Sequence, residues 1–140
     1  MQIIRHLCIL MTIIPYERRS MQLYWLSDTI GVSDQISPED VLELSSLGVK
    51  SIICNRPDRE SGSEQPDAES IRLASKKLGI EFVFHPVESN FQTEQDASEM
   101  AKQLCKLPKP IIAYCRSGGR STALIGLAEQ LQFINLQELE

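Results

Sequence analysis

The segment Tyr114-Cys115-Arg116-Ser117-Gly118-Gly119-Arg120-Ser121 gathers a thiol, two arginines, two serines and two glycines within eight residues. An apolar run, Ile111-Ile112-Ala113-Tyr114, precedes it, and residues at helical spacing follow it. A strand that enters a glycine-bearing loop and then a helix aims successive backbone N–H groups at one point before the helix N-terminus. The glycines let such a loop curl without steric cost. A cysteine at that point is favoured as thiolate by the N–H groups, the helix dipole and Arg120. A thiolate there can attack phosphorus or sulfur and carry a covalent intermediate. Arg120 can fork onto two oxygens of a bound group. Ser121 can donate to the sulfur or assist departure from the intermediate. Arg116, Ser117, Gly118 and Gly119 supply loop backbone, with the Arg116 side chain facing outward as positive field for an anion. A merely buried cysteine before an ordinary turn leaves the clustered arginines and glycines unexplained. Cys54, in an apolar strand, and Cys105, near a helix end, read as packing residues.

The elements that must position this loop alternate in type. Leu23-Tyr24-Trp25-Leu26 reads as a short strand. Ser37-Pro38-Glu39-Asp40 opens a helix, with Ser37 as cap, Pro38 at the first position and Asp40 closing a capping box. Val41, Leu44 and Leu47 then give one face. Residues 49–54 form a buried strand, and Glu60 to Gln65 a polar loop. Ile71, Ala74 and Leu78 mark a second helix. Residues 81–87 form a strand whose Pro86 places its end near an edge or a loop mouth. Thr93 caps a third helix through Ala97, Met100, Ala101 and Leu104. Ala123, Leu124, Leu127, Ala128 and Leu131 mark a fourth, and Asn135 with Glu138 looks like the opening of another. Alternation of this kind predicts an α/β fold, a three-layer sandwich around a mainly parallel central sheet. Ligands of such sheets bind outside the carboxyl ends of the strands, where Cys115 stands.

The 140 residues make one ordinary domain, 42% hydrophobic and 24% charged. A net charge of −5 argues against a general nucleic-acid surface. No apolar run is long enough to span a membrane. Four cysteines without a C-x-x-C pair, and only two histidines, argue against a zinc site, and no cofactor or metal is expected. The cysteines read as reduced thiols of a cytoplasmic protein. Residues 1–20 are apolar and then basic. They read as an N-terminal extension outside the fold rather than a signal peptide, since no A-x-A-like cleavage site follows. Residues 21–140 read as the catalytic domain, shortened at the C-terminus relative to resembling domains.

The run from Ile36 to Leu131 resembles the phosphatase-like domain of beta-lactamase hydrolase-like proteins, within the tyrosine-phosphatase superfamily. QISPEDV, NRPDRE and YCRSGGRS carry the resemblance. Single-domain rhodaneses have nearly the same loop string, but no GHIPGA-like segment of the rhodanese kind is present. The resemblance implies a tyrosine/dual-specificity phosphatase-like scaffold, a nucleophile at Cys115 and an anion-binding Arg120. It places Arg56, Asp58 and Glu60 on the family's NRP-D-x-E-like segment, where they line the site, brace the loop or form a self-paired solvated turn. Three departures stand out. Four residues, not five, separate Cys115 from Arg120. Tyr114 stands where histidine usually precedes the nucleophile. Ser89 falls at the general-acid position, which puts a rate factor of roughly 10²–10⁴ in question. Glu88 and Asp96 are possible substitutes, and His85 a further one.

Three functions follow. The first is a cysteine-dependent phosphatase-like hydrolase working through a phosphocysteine. The second is a rhodanese-type sulfurtransferase passing sulfane sulfur through a Cys115 persulfide to a thiol acceptor. The third is a non-catalytic oxyanion-binding module. Breadth of resemblance favours the first, with a small anionic substrate and neither nucleic acid nor membrane as partner.

Overall fold

A computed structural model describes residues 20–140, so the expectation for the N-terminal extension lies outside the described residues, as do His6 and Cys8. Five strands form one sheet: β1 (Leu23–Trp25), β2 (Ile30–Ser33), β3 (Ser51–Cys54), β4 (Glu81–Phe84) and β5 (Ile111–Tyr114). Their order is β1-β2-β5-β3-β4, with only β1 antiparallel to its neighbour. Every residue of β2, β3 and β5 is buried, as a strand covered on both faces requires, whereas β1 and β4 are part-exposed edges.

Among the described residues, four α-helices cover the two faces: α1 (Pro38–Ser46), α2 (Ala68–Lys77), α3 (Glu94–Lys106) and α4 (Gly119–Gln130). Strand alternation divides the core between them. Ile111 and Ala113 of β5, with Ile53, pack against Ala97, Met100, Leu104, Leu124 and Ala128 of α3 and α4. Ile112 and Tyr114, with Ile52 and Cys54, pack against Val41, Leu44 and Ile71 of α1 and α2. The result is the expected three-layer sandwich. The predicted capping box of Ser37 with Asp40 forms, and Thr93 caps α3 as expected, in a box that also takes Asp96.

Two expectations need correction. β2 has no counterpart in the sequence reading, because a four-residue strand interrupted by Gly31 carries little periodic signal. The glycine is there for space: a Cβ would lie 2.7 Å from Ile112 Cδ1. Cys105 is exposed rather than packed. The buried stripe of α3 runs through Ala97, Met100, Ala101 and Leu104, and Cys105 falls one position off it. At the C-terminus, Asn135 caps only a single 3₁₀ turn, Leu136–Glu138. None of the helices among the described residues is long and apolar enough to cross a membrane.

Candidate active site

β5 lies between β2 and β3, and its carboxyl end delivers Cys115 into the crevice between them. The Cys115 N–H donates to the Ser33 carbonyl at 3.3 Å, and the Asn55 N–H to the Tyr114 carbonyl at 2.8 Å. The Gln35 N–H holds the next residue through the Arg116 carbonyl at 3.2 Å. α4 then starts from Gly118, whose φ of 94° is left-handed and which offers no capping side chain. Its N–H instead donates to Cys115 Sγ at 3.1 Å. The Ser121 N–H and hydroxyl and the Ser117 N–H also favour the charged form of the sulfur. Cys115 is only 1% exposed. Burial pushes its thiol pKa up, but those donors outweigh burial and hold it below the ordinary value. The Arg116 and Ser117 side chains are exposed, as is Gly119.

Gly118→Ala would force a β-carbon into this left-handed position. We expect a loss of about 1–2 kcal/mol of stability and a raised Cys115 pKa, read from urea melts and a thiol titration.

Arg120 is buried, and its fork is largely committed to the protein. Nη1 donates to the Val87 carbonyl at 3.0 Å and the Asn55 carbonyl at 3.4 Å. Nη2 donates to Glu60 Oε1 at 3.0 Å. Only Nε is buried with no partner. The expected fork onto two substrate oxygens is therefore not open in this state, because backbone carbonyls and Glu60 hold both terminal nitrogens. Arg56 braces the same carboxylate: its Nε donates to Glu60 Oε1 at 3.0 Å, Nη1 to Gln35 Oε1 at 3.0 Å and Nη2 to Ser61 Oγ at 2.7 Å. The Arg120 hydrogen bond, opposed by burial and joined by Arg56, holds Glu60 below the ordinary carboxylate range. Glu60 is thus an ionised brace and no proton donor.

Of the remaining carboxylates named above, Asp58 and Asp96 serve helix starts. Asp58 Oδ1 accepts the Ala68 N–H at 2.8 Å, at the start of α2. Asp96 Oδ2 accepts the Thr93 N–H at 2.9 Å in the capping box of α3. Glu88 is exposed on the loop after β4, where its carbonyl, with that of Ser89, accepts from Gln92 Nε2 at 3.0 and 3.2 Å. Tyr114 faces the α1–α2 layer beside Cys54, and burial pushes its phenol pKa far up, so it stays neutral.

Asn55 is the residue that motif reading passed over. It is fully buried, and its Oδ1 accepts from Ser121 Oγ at 2.9 Å. Its Nδ2 donates to the His85 carbonyl at 3.0 Å and faces His85 Nδ1 at 3.2 Å. An asparagine directly after the apolar strand SIIC was the available signal. His85 thus braces Asn55 through its Nδ1 and its carbonyl. Burial holds the imidazole pKa below 6.5, against the opposing charges of Asp96 and Glu99. The folded state thus binds the proton less readily than the unfolded chain. Its contribution to stability is full above about pH 6.5 and falls as pH drops toward the lower folded value. Denaturant midpoints of the native protein should decline across that window, and His85→Gln should flatten the decline.

Comparisons with known proteins give the family and the fold. Residues 22–132 match the family model described as "Beta-lactamase hydrolase-like protein, phosphatase-like domain". The chain belongs to that family. A beta-lactamase hydrolase-like protein of Agrobacterium fabrum (strain C58) is 30% identical over 111 residues, covering 79% of this chain and 26% of the relative. A relative of the same description from Xylella fastidiosa (strain 9a5c) is 26% identical over 109 residues. The chain spans about a quarter of the length of these curated relatives. Among solved structures, a candidate phosphatase from Neisseria meningitidis Z2491 superposes with a TM-score of 0.73 at 30% identity, covering 80% of this chain and 79% of that one. Kinase-associated phosphatase, with its catalytic cysteine replaced by serine, gives 0.64 at 18% identity, covering 84% and 76%, a likeness of fold alone. The domain is phosphatase-like, with the fold of cysteine-based phosphatases.

Proposed function

We propose that this chain is a cysteine-dependent hydrolase of small phosphorylated anions. The observation that carries the reading is the Cys115 sulfur at the start of the loop, accepting the Gly118 N–H at 3.1 Å with its thiol pKa held below the ordinary value, and the Arg120 Nε buried and unpartnered in the first turn of the following helix. The thiolate attacks phosphorus, the N–H groups and Nε take non-bridging oxygens, and water then releases phosphate from the phosphocysteine. Glu60, Asp58 and Asp96 are committed to other partners, Ser89 cannot protonate a leaving alkoxide, and Glu88 is exposed to solvent on the loop after β4. Substrates are therefore those whose leaving groups depart without a proton, such as aryl phosphates. Phosphate release should be measurable for aryl esters and poorer by roughly 10²–10⁴ for alkyl esters. Tight phosphate binding with no release from any ester would instead mark a non-catalytic anion-binding module.

One observation favours a second reading, sulfur transfer. The loop between Cys115 and Arg120 has only four residues, and both Arg120 terminal nitrogens are already occupied. Such a nest suits a sulfur atom better than a tetrahedral phosphate, and transfer of sulfane sulfur to a thiol acceptor needs no general acid. Mass spectrometry after thiosulfate treatment would show one added sulfur on Cys115. Absence of a persulfide with every sulfane donor removes this reading. Free Cys54, Cys105 and Cys115 fit a reducing compartment, and we place the protein in the cytoplasm on that basis.

A further inference from the structure

We infer that Asn55 is a positioning residue for Cys115, its side-chain oxygen competing with the sulfur for the one hydroxyl proton of Ser121. The inference rests on the thiolate proposed above. Ser121 is fully buried and its hydroxyl donates to Asn55 Oδ1 at 2.9 Å, while the same hydroxyl is one of the groups that favour the charged form of the Cys115 sulfur. A serine hydroxyl has one proton to give, so it serves one acceptor at a time. The Gly118 N–H, which donates to the sulfur at 3.1 Å, is a backbone group and has no such choice.

Asn55 cannot move aside. Its Nδ2 donates to the His85 carbonyl at 3.0 Å, so an amide flip would set two oxygens against each other. Its backbone is pinned as well: the N–H donates to the Tyr114 carbonyl at 2.8 Å, and its carbonyl accepts from the Val87 N–H at 3.0 Å and Arg120 Nη1 at 3.4 Å. Oδ1 is thus a fixed, buried acceptor that loses its partner whenever Ser121 turns to the sulfur. That loss opposes stabilisation of the thiolate and stops the thiol pKa from falling further. When the sulfur is uncharged, the hydroxyl proton rests on Asn55. The arrangement keeps the nucleophile strong, because thiolate nucleophilicity falls as its pKa falls.

The test is the thiolate's ultraviolet absorbance against pH, taken as the difference from Cys115→Ser in each background. It reads Cys115 alone and needs no turnover. Asn55→Ala should lower the titration midpoint by roughly 0.5–1 pH unit and Ser121→Ala should raise it by a similar amount. The double variant should match Ser121→Ala. An unchanged or raised midpoint in Asn55→Ala, or a drop that persists without Ser121, overturns the inference while leaving the nucleophile standing. Should Asn55→Ala not fold, Asn55→Asp replaces it. Its carboxylate holds the Ser121 proton more firmly, so the midpoint rises, and the rise shrinks when Ser121→Ala is added. An equal rise in both backgrounds overturns the inference. Absence of any Cys115-dependent absorbance in the native protein defeats the thiolate itself.

Discussion

Cys115→Ser should lower turnover on the order of 10⁴-fold or more while leaving the fold intact. The serine oxygen can occupy the same point and accept the Gly118 N–H that now reaches Sγ at 3.1 Å. A hydroxyl, however, is not ionised at neutral pH, and Asp58, Asp96, Glu60 and His85 are not free to take its proton. Asp58 and Asp96 serve helix N-termini, Glu60 is locked to two arginines, and His85 is turned to Asn55. The loop amides and Arg120 remain, so phosphate binding should survive. Phosphate release from an aryl ester and phosphate affinity, measured on the same preparation, check both halves. Turnover near the native rate in the serine variant contradicts the proposed chemistry in either its phosphoryl or its sulfur form.

Arg120→Ala should damage stability and rate together. The guanidinium ties α4 to the ends of β3 and β4 through the Asn55 and Val87 carbonyls and to the 55–61 segment through Glu60. Its removal strands two carbonyls and half of a braced carboxylate. Breaking a buried pair costs about 3–5 kcal/mol, and the 24% exposure of Glu60 discounts that to roughly 2–4 kcal/mol. Loss of one transition-state donor should lower kcat by about 10²–10³. Arg120→Lys keeps the charge but lacks the planar fork, so it should recover part of the stability and little of the rate. Urea midpoints and steady-state kinetics on the pair separate the bracing role from the catalytic one.

The alternation of strand and helix was legible because most elements carry their own signals: Pro38 and Ser37 at one helix start, Thr93 at another, SIIC and IIAY as fully buried strands. β2 was not legible, since Ile30–Ser33 gains its burial only from pairing with β5 across about 80 residues of chain. The loop around Cys115 could be read because its chemistry is contiguous. What supports it comes from distant segments: Gln35 after β2, Asn55 and Glu60 after β3, Val87 after β4. Sequence alone named Arg56 and Glu60 only through a resemblance. It could not tell that Asp58 and Asp96 cap helices, because a carboxylate's partner is decided by tertiary placement. The same holds for Arg120, whose motif suggests an open fork and whose neighbours fill it.

The most direct test is mass spectrometry of the native protein quenched during turnover of an aryl phosphate, with a parallel sample treated with thiosulfate. A thiolate nucleophile predicts a single covalent adduct on the peptide carrying Cys115, a phosphoryl group in the first sample or one sulfur in the second. Turnover with no adduct at Cys115, or with the adduct on Cys54 or Cys105, would contradict it.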